Sequence, residues 1–211
     1  MRFERKYRIT GKTRETVLQL VRMHPAGFRV LFPGRQINNI YFDTPSLSAL
    51  NQNVHGIDER KKFRLRWYGE DPSKIRDAKL EVKIKHNELG RKELVDFPDA
   101  ELTDLKTITT QVNKLLYPQA QLQPVLLSSY RRDYFISADQ KFRLTVDYEM
   151  KYHSLLVSPR FSGYRVGDPV IVVELKYSEA EDGLVEFITQ NIPFRQEKHS
   201  KYVNGVFMTN G

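Results

Sequence analysis

The sequence predicts an α+β fold: a mostly antiparallel sheet with helices packed outside it. Three observations carry this. Five stretches alternate apolar with charged or polar residues at period two: Phe3–Ile9, Phe63–Trp67, Leu80–Lys85, Phe142–Asp147 and Val173–Lys176. That period belongs to β-strands with one apolar and one polar face. Candidate strands outnumber candidate helices about two to one, the balance of an α+β domain. No internal repeat, low-complexity tract or linker interrupts the chain, so residues 1–211 read as one domain.

The elements follow in order. Residues 1–9 form a strand. Thr13 caps a helix with Glu15 in its first turn and Val17, Leu18 and Val21 on its apolar face. A strand over Ile37–Phe42 leads to Thr44-Pro45, an N-cap followed by proline at the first helical position, and a short helix over Ser46–Leu50. The polar residues 51–61 read as a loop. Strands follow at 62–68, 79–85 and 91–97. Leu105, Ile108, Val112 and Leu115 recur at helical spacing, giving a helix over 103–117. Strands return at 125–136, 141–149, 152–157 and 170–177, with Gly163–Pro169 as a loop. A short helix falls near 184–190, and Glu197–Phe207 is helical by pattern but interrupted by Gly205.

The 211 residues, 40% hydrophobic and 11% aromatic, suffice for a substantial core. A formal charge of +8 points to anionic partners, though a solvated basic surface would carry the same charge. Cysteine is absent, which removes disulfides, thiolate metal sites and a cysteine nucleophile. No apolar run approaches about 18 residues, so the reading is a soluble, cytoplasmic protein. The five histidines are scattered and suit surface or loop positions better than a metal site.

Strand parity separates the faces. Lys62, Arg64 and Arg66 share a side, with Phe63, Leu65 and Trp67 opposite. Lys79, Glu81, Lys83 and Lys85 share another side, as do Arg143, Thr145 and Asp147, and Glu174 with Lys176. Of Arg131 and Arg132 only one can face the same way as these. A water-facing basic sheet is the simplest account of such faces. Against it, cations on adjacent strands would repel unless an anion lay between them. Glu4, Glu81 and Glu174 on this cationic face suit a divalent cation held beside phosphates. A barrel closed with this face inward would have a lumen made for polyphosphates or nucleotides.

The following segments occur in order: Glu4-Arg5-Lys6-Tyr7, Ile40-Tyr41-Phe42-Asp43-Thr44, Phe63-Arg64-Leu65-Arg66, Glu81-Val82-Lys83, Tyr130-Arg131-Arg132, Phe142-Arg143-Leu144, Val173-Glu174-Leu175-Lys176 and Glu197-Lys198-His199-Ser200-Lys201-Tyr202. As a set they resemble the VTC domain, the polyphosphate polymerase domain of the vacuolar transporter chaperone family. That family lies within the CYTH, or triphosphate tunnel metalloenzyme, superfamily. The resemblance runs over about residues 2–206. It implies an antiparallel β-barrel tunnel of about eight strands that makes inorganic polyphosphate from ATP with Mn²⁺ or Mg²⁺.

By position, Lys6, Arg64, Arg66, Lys83, Arg132 and Arg143 resemble the phosphate-binding tunnel residues. Glu174 resembles the metal ligand, with Glu4 beside it on the same face. Lys198 and Lys201 resemble a terminal helical pair, and Tyr130 and Ser200 resemble supporting donors. Arg91 or Lys92 matches a further basic position, and Lys85 and Lys176 join the phosphate-binding set through strand parity. The superfamily opens with two glutamates and a lysine in alternation. Here Arg2 takes the first place, which favours a basic polymerase tunnel over a two-metal hydrolase.

The implied activity is transfer of the γ-phosphoryl of ATP to a growing polyphosphate or a pyrophosphate primer. The alternatives are a triphosphate or nucleoside-triphosphate hydrolase of the same fold, or a non-catalytic polyphosphate-binding module. No recognition helix or glycine-aromatic strand motif suggests nucleic acid. A membrane-protein partner receiving the product stays open, as does the oligomeric state.

Overall fold

A computed structural model describes residues 2–86, 89–116 and 121–210; the side chains of residues 2, 85, 86, 89 and 90 lie outside that description. The elements run β1 (Arg2–Ile9), α1 (Arg14–Arg22), β2 (Arg29–Asp43), α2 (Ser48–Val54), β3 (Glu59–Tyr68), β4 (Lys74–Ile75), β5 (Lys79–His86), β6 (Leu89–Asp96) and β7 (Ala100–Glu101). They continue with α3 (Leu105–Leu116), β8 (Gln123–Ile136), β9 (Arg143–Ser154), β10 (Val166–Asp168) and β11 (Ile171–Ser178). A 3₁₀ turn over Glu179–Leu184 then leads to α4 (Val185–Thr189) and α5 (Lys201–Asn210). Among the described residues no helix is long and apolar enough to cross a membrane.

The large sheet has nine strands in the order β1-β11-β9-β8-β2-β3-β5-β6, with β10 beside β9. Every pairing whose register is defined is antiparallel. The α+β class therefore stands as expected. The order ends at β1 and β6, which do not pair among the described residues, so the strands do not hydrogen-bond into the closed barrel the resemblance implied. Strands β4 and β7 form a separate ribbon that no alternation foretold, because each has only two residues.

The chain divides into two compact units. The first comprises residues 1–35, 130–150 and 168–199, and the second residues 36–129, 151–167 and 200–211. In the first unit, α1 presses Val17, Leu18 and Val21 onto Leu144, Val146, Val173 and Leu175, the apolar sides of β9 and β11. The second unit has its own core, in which Ile40, Phe42, Leu65, Trp67 and Leu80 meet Ile108 and Val112 of α3. Trp67 is fully buried, as its alternation with Arg66 requires.

Several local expectations are corrected. Strand β2 starts at Arg29, eight residues before the expected Ile37, and its Pro33-Gly34 pair sits within the strand. Helix α2 begins at Ser48 and reaches Val54. The N-cap position is Leu47 at φ +55°, not Thr44, and Pro45 lies in the turn before the helix rather than at its first position; Thr44 Oγ1 still accepts from Ser48 N–H at 3.0 Å. Asp43 accepts from the N–H groups of Thr44, Ala49 and Leu50 at 2.7–2.9 Å and so satisfies orphan donors of the helix start. The expected strands at 141–149 and 152–157 are one continuous β9, Arg143–Ser154, within which Glu149 takes φ +52°. Gly205 lies inside α5 because a Cβ there would come within 2.6 Å of Leu126 and Tyr152. Close packing, not helix interruption, explains that glycine. His24 and His153 are buried rather than superficial; their ring Nε2 atoms pair with the carbonyls of Ile188 and Ser158.

Candidate functional site

In the first unit, antiparallel register arranges polar side chains in rungs across β1, β11 and β9. One rung is Lys6–Glu174–Thr145 and the next is Glu4–Lys176–Arg143. Alternation puts these on the side opposite the Val173, Leu175 and Val146 core. Lys6 Nζ lies 3.0 Å from Glu4 Oε1 and 3.5 Å from Glu174 Oε1, and donates to the His199 carbonyl at 3.0 Å. Lys176 Nζ lies 3.1 Å from Glu174 Oε2 and 3.9 Å from Glu4 Oε2. Arg132, from β8, grips Asp147 with two donors and reaches Glu174 Oε2 at 3.2 Å. Its guanidinium stands 5.5 Å from the ring centroid of Tyr130, so Tyr130 is buried as a platform under Arg132.

Burial works against the charge on Lys6, but Glu174 and Glu4 outweigh it and raise its pKa above the ordinary lysine value. Burial likewise opposes the Arg132 charge, and Asp147, with Tyr130 and Glu174, holds its pKa well above the usual arginine value. Parity required one of Arg131 and Arg132 to face this side; Arg132 does, while Arg131 is 42% exposed beside Glu149. Arg143, opposite Lys176, is exposed.

The second unit carries a different face. Across β3, β5 and β6 the rungs are Arg66–Lys79–Asp96, Arg64–Glu81–Leu94, Lys62–Lys83–Lys92 and Arg60–Lys85–Gly90. Arg64 pairs with Glu81 through Nε and Nη2, and Lys92 Nζ reaches the other oxygen at 2.7 Å. Burial alone would raise the Glu81 pKa; Arg64, Arg66 and Lys92 instead bring it down to about 2. The buried Arg66 donates to Asn39 Oδ1 at 2.8 Å, and Asn39 donates to Ser128 Oγ at 3.3 Å. Lys62 Nζ donates to Ser200 Oγ at 3.0 Å. Lys83 and Lys92 are exposed and Lys201 is buried. Tyr202 holds α5 to β2 by donating its hydroxyl to Asp43 Oδ2 at 2.6 Å and stacking on Tyr41.

The rungs correct two expectations. Cations in the first unit do not face one another unrelieved, because carboxylates interleave with them across the strands. Lys198 does not share a helix with Lys201: α5 begins at Lys201, and Lys198 is an exposed residue ahead of it. Lys85 lies in β5, but its side chain is outside the described residues. Sequence reasoning left Lys62, Asn39 and Ser128 without a role. The parity of Lys62 with Arg64 and Arg66 signalled its side. Nothing in the Asn38-Asn39 pair signals which asparagine supports Arg66.

A divalent cation can be tested against these donors. Glu4 and Glu174 both reach Lys6, so their carboxylates adjoin, yet among the described residues no three acidic or histidine side chains gather as a cage. Two carboxylates supplemented by phosphate oxygens suit Mg²⁺ or Mn²⁺, which seldom take an all-protein cage. The donor set fits a cation that arrives with phosphate.

Three solved structures place this architecture. A Vibrio parahaemolyticus protein provisionally named an adenylate cyclase aligns at TM-score 0.54 and 16% identity, covering 96% of this chain and 97% of that one. A Pyrococcus horikoshii protein aligns at TM-score 0.52 and 14% identity, over 97% and 94% of the two chains. A Hippeastrum protein provisionally named an adenylyl cyclase, and described as having a dominant triphosphatase activity, aligns at TM-score 0.54 and 15% identity, over 99% and 97%. No curated protein sequence matches. This chain therefore shares the fold of these three proteins. The chain belongs to the VTC domain family, whose model matches residues 1–210.

Proposed function

We propose that this chain is an ATP-dependent inorganic polyphosphate polymerase, with residues 1–211 acting as one domain around the basic tunnel that the family resemblance implies. The observation that carries the reading is the Lys62–Lys83–Lys92 rung, three cations aligned across β3, β5 and β6 next to the Arg64–Glu81 rung, in a chain of the VTC domain family. Like charges opposite one another are destabilising, so such a row is retained at a cost and suits a repeating polyanion.

In this reading Arg64, Arg66, Lys83, Lys92 and Lys201 draw in phosphates, and Ser200 fixes Lys62 among them. Arg supplies a planar fork for phosphate oxygens and Lys a compact charge. Lys6, Arg132, Arg143 and Lys176 bind phosphate in the first unit, Arg132 stiffened by Asp147 and Tyr130. Exposed Lys198 steers anions. A terminal phosphate oxygen of the primer attacks the γ-phosphorus of ATP. Its bond to the β-phosphate oxygen breaks, ADP leaves, and the chain grows by one phosphate. That nucleophile is already anionic at neutral pH, so no general base is required. Glu174 and Glu4 would hold Mn²⁺ or Mg²⁺, which when bound neutralises charge developing on the phosphate oxygens. Loss of Arg66 should remove about 2–4 kcal/mol of transition-state stabilisation, the usual range for one preorganised donor.

The deciding experiment incubates the chain with ATP and Mn²⁺, with and without pyrophosphate, and resolves products on a gel stained for polyphosphate beside Glu174→Ala. A ladder that vanishes in the variant is expected. Orthophosphate without polymer would replace the reading with a triphosphate hydrolase. Tight polyphosphate binding without turnover would replace it with a binding module.

A further inference from the structure

Thr145 is 7% exposed, and among the described residues its buried hydroxyl has no hydrogen-bond partner. Its strand neighbours Leu144 and Val146 enter the apolar core, so alternation turns Thr145 to the charged side with Asp147. There it stands directly opposite Glu174. Directly opposed residues carry Cβ atoms about 4.5–5.5 Å apart, within reach of a hydroxyl–carboxylate hydrogen bond. A buried hydroxyl left unsatisfied is destabilising, whereas valine would fill the same volume with no polar atom to desolvate. Such a group in a folded protein calls for a partner that arrives later.

Glu174 is where that partner would be needed. Its oxygens are engaged by Lys6, Lys176 and Arg132, and a carboxylate oxygen accepts more than one hydrogen bond, so a further donor can join them. Phosphates entering the site would draw the two lysines toward themselves. Glu174 would then lose cationic support on the side where it must face a metal.

We propose that Thr145 is a positioning residue for Glu174: its hydroxyl donates to the carboxylate and orients it toward a divalent cation. This rests on the metal-binding part of the function proposed above. Supports of this kind, standing behind a metal ligand, typically change metal affinity 10–100-fold when removed.

The test titrates Mn²⁺ by electron paramagnetic resonance into the wild-type chain, Thr145→Val and Thr145→Ser, each with short-chain polyphosphate present. Thr145→Val should weaken Mn²⁺ binding about 10–100-fold. Thr145→Ser should restore it to within about threefold, and polyphosphate binding without metal should not change. The unfolding midpoint of Thr145→Val should equal or exceed that of wild type, since an unsatisfied hydroxyl has been removed. A purely structural threonine would instead lower the midpoint and leave Mn²⁺ affinity alone. Wild-type Mn²⁺ affinity in Thr145→Val, or failure of Thr145→Ser to restore it, would overturn the assignment. A wild-type chain that binds Mn²⁺ yet makes no polymer would end the polymerase reading while leaving the Thr145 comparison intact.

Discussion

Lys6 faces Glu174 and Lys176 faces Glu4 across β1 and β11, whereas Lys62, Lys83 and Lys92 face one another across β3, β5 and β6. Both faces arise from the same period-two alternation, and each backs onto its own apolar core. They differ in what stands opposite each cation. In the first unit the rungs mix signs and bury Arg132, Asp147 and Glu174 together. In the second, Glu81 pairs with Arg64 and draws Lys92 from the neighbouring rung, which is itself made of lysines. A mixed-sign face can hold a cation beside phosphate; a basic rung can only attract anions. Both faces follow the same parity, but the first carries nearly as many carboxylates as cations and the second is mostly basic, so composition and register together give them different chemistry.

The contrast can be broken most severely at Arg132. Arg132→Met would leave Asp147, which is fully buried, without its bidentate partner. A loss of about 3–5 kcal/mol is expected, read from urea unfolding. If the variant is as stable as wild type, the first unit is not organised around that pair.

Next in size is a matched pair of carboxylate substitutions. Glu174→Gln should lower turnover about 10²–10³-fold, the scale of losing one preorganised electrostatic group. Glu81→Gln should change turnover less than about threefold and tighten polyphosphate binding, because it releases Arg64 and Lys92. Equal losses in both variants would erase the proposed division between the faces.

Acid sharpens the comparison further. The Glu81 pKa is about 2 in the folded chain against an ordinary 4.5. A depressed folded pKa contributes stability that is complete above the unfolded value and lost as pH falls through the folded one. Unfolding midpoints should therefore decline between about pH 4.5 and 2, by on the order of 2 kcal/mol from this group. Glu81→Gln should flatten that part of the profile, and an unchanged slope would count against the Arg64–Glu81–Lys92 arrangement.

The smallest effect is expected at Lys62. Lys62→Met should weaken polyphosphate binding by about 1 kcal/mol and reduce the magnitude of its logarithmic salt dependence by about one, as for loss of a single phosphate contact. Calorimetry at three ionic strengths would show whether the all-lysine rung contributes.

Alternation made the strands and their two sides legible, because a side chain's face depends only on its own position along the strand. It placed Arg64, Arg66, Glu81, Glu174 and Lys176 on polar faces and Trp67 in a core. Long β2 was foreshortened because Pro33-Gly34 mimics a turn, and the start of α5 was misplaced because Lys198 and Lys201 keep helical spacing in a segment that is not yet helix. Asn39 carries no sequence signal, because it matters through Arg66 on another strand, and the parity of Thr145 gave its side but not the residue that stands opposite it, Glu174.

The sequence by itself determined the α+β class, the two-sidedness of the strands, the excess of positive charge and the family, since these depend on local period, composition and motif order. Only the tertiary structure decided which cations are neutralised. Register is a long-range property: β1 meets β11 across more than 160 residues, and a slip of one position would turn every side chain to the other face. That pairing sets Lys6 against Glu174, and the separate register of β3 with β5 sets Lys62 against Lys83.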